Sequence, residues 1–513
     1  MSGTRWFERS AHLPGAPGAR VIRVSREDWR AVAQHVAAAG GRLLALWTSG
    51  EAAPSILIRS AYSTEQVLLV AELLLPDPSD AYPSLDEIFP AAARMQRAAT
   101  DLTGARSTME DSRPWLRHAA WPAKFHPLID VGGDGGGSEA PSIDAYEFVR
   151  VEGDGVHEVP VGPVHAGIIE PGHFRFSIVG EKVLRLEERL GYVHRGIERR
   201  FTDFPILDGH RLAARVSGDT AVAFSWAYCQ ALEGMAGVEI PARAAWLRAL
   251  CLELERVANH LGDLGALGND AGFAFGLAQF SRLKEEVLRA TEAALGQRYL
   301  LDAVVPGGLR CDLALSTATG IERCIGNVLA EAITLRNIYD EHAGVRDRFV
   351  GAGRVEPALA ARLGLIGLAG RASGQAHDLR VDLPCAPYRD LGPVKRTQAD
   401  GDVAARVAIR FDELADSCRL IKAILGGLPE GAHGIGVSLP TADAFGLGAI
   451  EGWRGPVLVA LEVGEGGRIR RCHPHDPSWQ NWPVLEHAVI GNIVPDFPLI
   501  NKSFNLSYSG HDL

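Results

Sequence analysis

The sequence predicts an α+β protein, a small mixed domain followed by a larger, mainly helical domain with a β segment, and three observations carry that prediction. A glycine- and serine-rich run without apolar periodicity, residues 131–142, divides the chain and reads as a linker. Ahead of it short β-branched or leucine-rich stretches mix with helical patterns, and behind it four long stretches repeat apolar residues at helical spacing. The chain has 513 residues, 47 % hydrophobic and 22 % charged, which is the composition of a folded globular protein long enough for more than one core. The expected units are therefore 1–130, the linker 131–142, and 143–513.

In the first unit, residues 20–24 alternate like a strand, and Ser25 then caps a helical stretch that runs to Ala39 and stops at Gly40 and Gly41. Residues 43–47 and 55–62 read as strands, 66–74 as a strand or a helix, and 85–102 as a helix. The pattern suggests one sheet covered on one side. In the second unit, strand-like pieces over 145–186 are broken by turns at Gly162-Pro163 and Pro171-Gly172. Helical patterns follow at 242–267, entered through Pro241, and at 278–300, 321–349 and 403–425, which together make a bundle. Residues 454–471 return to strands, and the polar end 503–513 is read as non-helical.

Fifty-two basic against 63 acidic residues leave a formal charge of −11, the wrong sign for holding nucleic acid through its phosphates. The most apolar stretch, 67–75, is interrupted by Glu72 and too short for a bilayer, which predicts a soluble chain or one held at a membrane by a partner. Cys229, Cys251, Cys311, Cys324, Cys385, Cys418 and Cys472 are scattered and odd in number, with no C-x-x-C pair. This favours a reducing cytoplasm and argues against a disulfide framework or a self-contained zinc or iron–sulfur site.

Polar residues gather in three places. His165 and His173 flank a turn-rich β segment that could line a pocket. His194, Arg195 and Glu198 fall within about one helical turn, where spacing alone gives an Arg195–Glu198 salt bridge at i, i+3. Glu253, Glu255, Arg256, Asn259, His260 and Asp263 crowd an otherwise apolar helix, as expected of a buried network holding the bundle together. No phosphate loop, nicotinamide-binding glycine motif, H-E-x-x-H or nucleophile elbow is present.

Taken in order, GPVHAGIIEPGHFRF (162–176), GYVHRGIE (191–198), ELERVANHLGDLGALGND (253–270), PGGLR (306–310), GRASGQAHDLR (370–380), EGWRGP (451–456) and SFNLSYSGHDL (503–513) resemble the large subunit of membrane-bound group 4 nickel–iron hydrogenases, as in formate hydrogenlyase, and its relative, the large core subunit of respiratory complex I. Tyr82-Pro83-Ser84-Leu85, 101–104 and Trp121-Pro122 look like the smaller complex I subunit fused in front in hydrogenase-4-type chains.

The resemblance implies four cysteine thiolates holding nickel and iron as two C-x-x-C pairs. Here Ser217 and Thr220 stand at the first pair and Ser507 and Gly510 at the second, so no metal bound by this chain is expected. In the complex I branch the vacated cavity takes quinone between a turn histidine and a helix tyrosine. Gly218 stands at the tyrosine's place, His165 at the first turn histidine, and His173 is displaced from the second, leaving Asp219 and His173 as other polar contacts. Of the hydrogenase pattern, Arg195 and the proton-relaying Glu198 remain, and Arg371, Asp378 and Arg380 match charges near the cavity or the small subunit.

The implied role is a non-metallated, hydrogenase-4-like or complex I-like subunit of a membrane-associated oxidoreductase complex. It would lie in the cytoplasm on the inner face of the membrane, beside a small subunit with a 4Fe-4S cluster and antiporter-like membrane subunits. Quinone reduction of the NADH dehydrogenase type, or an assembly scaffold without catalysis, are the alternatives.

Overall fold

The computed structural model describes residues 4–50, 54–77, 79–118, 121–130, 146–165 and 169–513, and the expected linker 131–142 lies outside them. The first sheet has five strands in the order β1-β2-β5-β4-β3: β1 Ala11–His12, β2 Ala19–Val24, β3 Arg42–Gly50, β4 Ile56–Ser63 and β5 Leu68–Leu75. β2 and β5 run parallel and the other pairs antiparallel. The ambiguous stretch 66–74 is thus a strand, and Ser25 caps the helix Arg26–Ala38 by accepting the Asp28 N–H at 3.1 Å. The second helix begins at Ala92 rather than at residue 85, because Pro90 disfavours helical backbone in the residue before it.

Both helices lie on one face of this sheet, with Trp29, Val32, Met95 and Leu102 against Leu43, Ile58, Leu69 and Leu73. The expectation of a sheet covered on one side needs correcting. Leu44, Trp47, Ala61, Leu68 and Val70 on the other face pack against Leu447, Leu458 and Ala460 from the far end of the chain. Strands covered twice read as continuous apolar runs, and Leu43-Leu44-Ala45-Leu46-Trp47 is such a run. The joint is also polar: Arg59 pairs with Glu72 at 2.8 Å and with Glu462, and Ser49 donates to Glu462 at 2.6 Å, all buried.

After residue 145, β6 Val156–Val161, β7 His173–Val179 and β8 Lys182–Arg189 form an antiparallel meander. The bundle follows, built on helices Ala221–Ala236, Ala242–Asp270, Ala274–Leu295, Leu315–Glu341 and Val403–Gly427. A short hairpin, β9 Val304–Val305 and β10 Gly308–Leu309, sits between them. Periodicity does not reveal helix Ala221–Ala236 because it is apolar nearly all round and buried over most of its length, so it shows no face. The expected helix 321–349 is divided at His342, whose imidazole accepts the Val345 N–H and caps Ala343–Phe349.

The third sheet, β11 Phe445–Glu451, β12 Pro456–Val463 and β13 Ile469–His475, is antiparallel. After it the chain is helical at Ser478–Ala488, Phe497–Phe504 and Tyr508–Asp512, which corrects the reading of 503–513 as non-helical. Asn505 in the left-handed region separates the last two helices, and His511 and Asp512 are wholly buried. Among the described residues no helix is long and apolar enough to cross a membrane.

Candidate functional site

Ser217, Thr220, Ser507 and Gly510, the positions where the resemblance implies metal ligands, meet in space. Ser217 and Thr220 lie in the turn that enters helix Ala221–Ala236, and Ser507 and Gly510 lie at the start of Tyr508–Asp512. Ser217 Oγ donates to Asp219 Oδ1 at 2.7 Å, Thr220 Oγ1 donates to the same oxygen at 2.9 Å, and Ser217 and Ser507 are 2.8 Å apart. A hydroxyl has one proton, so with that of Ser217 on Asp219 it is Ser507 that donates to Ser217. Ser507 accepts the Gly510 N–H at 2.9 Å.

Arg454, from the β11–β12 turn, closes the group. Its guanidinium meets Asp219 Oδ2 at 2.7 Å and Thr220 Oγ1 at 3.2 Å, donates to the Asn505 carbonyl at 2.6 Å, and stacks on Trp453. Burial works against the Asp219 carboxylate, but Arg454 and the two hydroxyls outweigh it and bring the group down to about 2. Asp476, at the end of β13, occupies the fourth direction: a Cβ on Gly510 would stand 2.7 Å from its Oδ2.

These residues do not fit a nickel–iron pair. The donors are neutral hydroxyls already committed to one another, Gly510 offers no side chain, and a guanidinium supplies the positive charge within the group. Among the described residues no group of three or more His, Cys, Asp or Glu is placed to hold a metal ion.

Arg195 and Glu198 do not pair, contrary to their spacing. Gly196 is left-handed and the helix Ile197–Phe201 starts after it, so Arg195 stands outside the helix and i, i+3 geometry does not apply. Arg195 donates instead to the carbonyls of Val216 and Arg215. Glu198 is buried between Arg471 at 2.7 Å and His473 at 2.6 Å. Burial raises its pKa, but the Arg471 guanidinium and the hydrogen bond from His473, whose own pKa burial lowers, prevail and hold it at about 2.

His165 and His173 are both engaged on their own hairpin. His165 Nε2 donates to the Gly172 carbonyl at 2.8 Å. His173 is buried beside Phe148 and receives Arg175 Nε at 3.4 Å, and burial lowers its pKa, favouring the neutral ring. Gly218 instead opens on a cavity of about 260 Å³ between helices Ala242–Asp270 and Ala274–Leu295, lined by Asp219, Leu254, Glu255, Asn259 and Tyr299 among others but by neither histidine. Burial pushes Glu255 up to about 8.

The polar groups on Ala242–Asp270 form the internal network expected of them, and it extends further than foreseen. Arg371, Asp378 and Arg380 are at most 4 % exposed and are paired inside it, so they are interior charges and not interface ones. Arg454, Asp476, Arg471 and His473 were not singled out. The available signal was charge in apolar surroundings, as in Glu451-Gly452-Trp453-Arg454 at the head of the β12 run.

A family model described as the respiratory-chain NADH dehydrogenase, 49 Kd subunit, matches residues 270–438. Formate hydrogenlyase subunit 5 of Escherichia coli is 32 % identical over 436 residues, 84 % of this chain and 77 % of that protein. Hydrogenase-4 component G of the same organism is 29 % identical, over 88 % and 80 %. The carbon monoxide-induced hydrogenase of Rhodospirillum rubrum is 31 % identical, over 68 % and 97 %. A chain of the membrane-bound sulfane sulfur reductase, an archaeal respiratory membrane complex, superposes with a TM-score of 0.66 at 24 % identity, covering 70 % of this chain and 98 % of that one, and so shares the fold.

Fold and sequence therefore place the chain among the large subunits common to respiratory-type oxidoreductase complexes. Within that class it belongs to the group 4 hydrogenase large-subunit family, of the formate hydrogenlyase and hydrogenase-4 type.

Proposed function

We propose that the chain is a non-metallated large subunit of a membrane-associated oxidoreductase complex, contributing to electron transfer from a neighbouring iron–sulfur subunit. The supporting observation is the closed group of Ser217, Thr220, Ser507, Asp219 and Arg454, in which three of the four positions expected to bear a thiolate are hydroxyls bonded around an ion pair and the fourth, Gly510, has no side chain. On this reading the partners are a small subunit carrying a 4Fe-4S cluster and antiporter-like membrane subunits, and the chain sits on the inner face of the cell membrane. Metal analysis of the complex purified from its own host tests it. Iron without nickel is expected; stoichiometric nickel would overturn the metal-free reading, and absence of both metals would leave a scaffold.

One observation favours quinone reduction as a second reading. The cavity at Gly218 exceeds the roughly 150 Å³ that accommodates a benzene ring, and its walls are mostly apolar. Nothing lies within 4 Å of a Cβ at Gly218, so Gly218→Phe can fill the cavity without displacing a neighbour at its base. Quinone-dependent oxidation by the complex should disappear in that variant, and unchanged kinetics would exclude this cavity.

A further inference from the structure

We infer that Glu451 is a buried proton-binding site, the least compensated member of an enclosed ion-pair cluster with one cation too few. The cluster lies where helices Ala242–Asp270 and Val403–Gly427, the segment Asp378–Arg380 and the end of β11 converge. Arg256, Arg371 and Arg380 face Glu253, Asp378, Glu413 and Glu451, three cations against four carboxylates, and none of the seven is more than 4 % exposed. An uncompensated charge in such surroundings costs far more than binding a proton.

The hydrogen bonds show where the proton belongs. Glu253 is surrounded by donors, with Tyr388 at 2.7 Å, Ser417 at 2.6 Å, Arg380 at 3.2 Å and Arg256 at 3.3 Å. Asp378 holds Arg380 at 2.7 Å and also accepts its backbone N–H. Glu413 takes Arg371 Nε at 2.6 Å and His260 at 3.1 Å. Glu451 has only the second arm of that same Arg371, at 2.9 Å, and the Leu379 N–H at 3.1 Å.

The other charged groups around Glu451 do not relieve it. Arg256 donates to the Glu451 and Gly452 carbonyls and not to the carboxylate. From β3, Arg42 reaches the rim but bonds Gln375, and Asp382 is taken by Lys395. His260 is wholly enclosed, and burial together with Arg256 and Arg410 favours its neutral ring despite Glu413. Burial first and Asp378 next raise Glu451 to about 7, which agrees with the geometry.

The site is three residues from Arg454, on the same strand end that clamps Asp219, so a proton bound at Glu451 and the charge of the former metal position share one rigid segment. The inference stands whether or not the chain works without metal.

Infrared spectroscopy and urea unfolding of the full chain over about pH 4 to 9 test it. Beside the Glu255 carboxyl, which burial pushes up to about 8, the wild type should show a separate protonated-carboxyl C=O band that titrates near neutrality. Glu451→Gln, which keeps the neutral shape and an acceptor for Arg371, should remove that band. Because the folded pKa is raised, wild-type stability is lost relative to Glu451→Gln as pH rises from about 4.5 to about 7.

Asp378→Asn, which removes the neighbouring negative charge, should move the midpoint to lower pH while keeping the band. An identical band and stability profile in Glu451→Gln, an unmoved midpoint in Asp378→Asn, or loss of the band in His260→Gln but not in Glu451→Gln would each overturn the assignment.

Discussion

Ser217 and Ser507, 290 positions apart, touch through a 2.8 Å hydrogen bond that ties the turn before Ala221–Ala236 to the start of Tyr508–Asp512. The hydroxyls hold the two chain segments together, with Asp219 and Arg454 supplying the charge.

Asp219 is the near carboxylate partner of Arg454, with Asp476 farther off at 4.0 Å. Asp219→Asn should cost about 2–4 kcal/mol in urea unfolding, below the upper range for a fully buried pair because the carboxylate is partly open to solvent. Combining Asp219→Leu with Arg454→Met, which removes both charges, should recover most of the loss. A double variant as unstable as the sum of its parts would count against the pairing.

Two glycines in the group should respond oppositely to a methyl. Gly510→Ala drives a Cβ against Asp476 and should lose about 1–3 kcal/mol. Gly218→Ala meets open space and should change stability by less than about 1 kcal/mol. Equal effects on the urea midpoint would show that the crowding by Asp476 is absent.

Glu198 should govern acid stability. Its carboxylate is held at about 2 in the folded state against 4.5 when free, so its contribution is complete above about pH 4.5 and fades as pH falls toward 2. The difference is worth about 3 kcal/mol. Glu198→Gln should therefore be destabilised at neutral pH and show a flatter decline in acid, read from urea midpoints across that range.

At the joint between the first and third sheets, Arg59→Met leaves Glu462 and Glu72 buried without their shared cation. Glu462 keeps Arg470 at 2.9 Å and Glu72 keeps Arg23 at 3.4 Å, so a loss of about 1–3 kcal/mol is expected. Limited proteolysis should then cut the region ahead of residue 131 first, and a wild-type cleavage pattern would rule out this role for Arg59.

Local signals were enough for much of the fold. Pro241 marked the start of a 29-residue helix, and Ser25 a cap that the structure shows. What escaped was set by distant partners. The second face of β3 is covered by residues some 400 positions away, and Ala221–Ala236 shows no polar side because most of its length is buried in protein. In the site, the spacing of Arg195 and Glu198 suggested a pair, but a left-handed Gly196 between them sends the two side chains to different neighbours. Arg454 and Asp476 become legible only once β11 and β13 bring them to Gly510.

The joint of Arg59 and Glu462 spans 403 positions, and this sets a timetable for synthesis. On a ribosome adding about 5–20 residues per second, the first sheet waits roughly 20 to 80 seconds with one oily face uncovered before β12 is made. During that interval the newborn chain is a substrate for chaperones, and its expression yield should depend on them more than its finished stability would suggest.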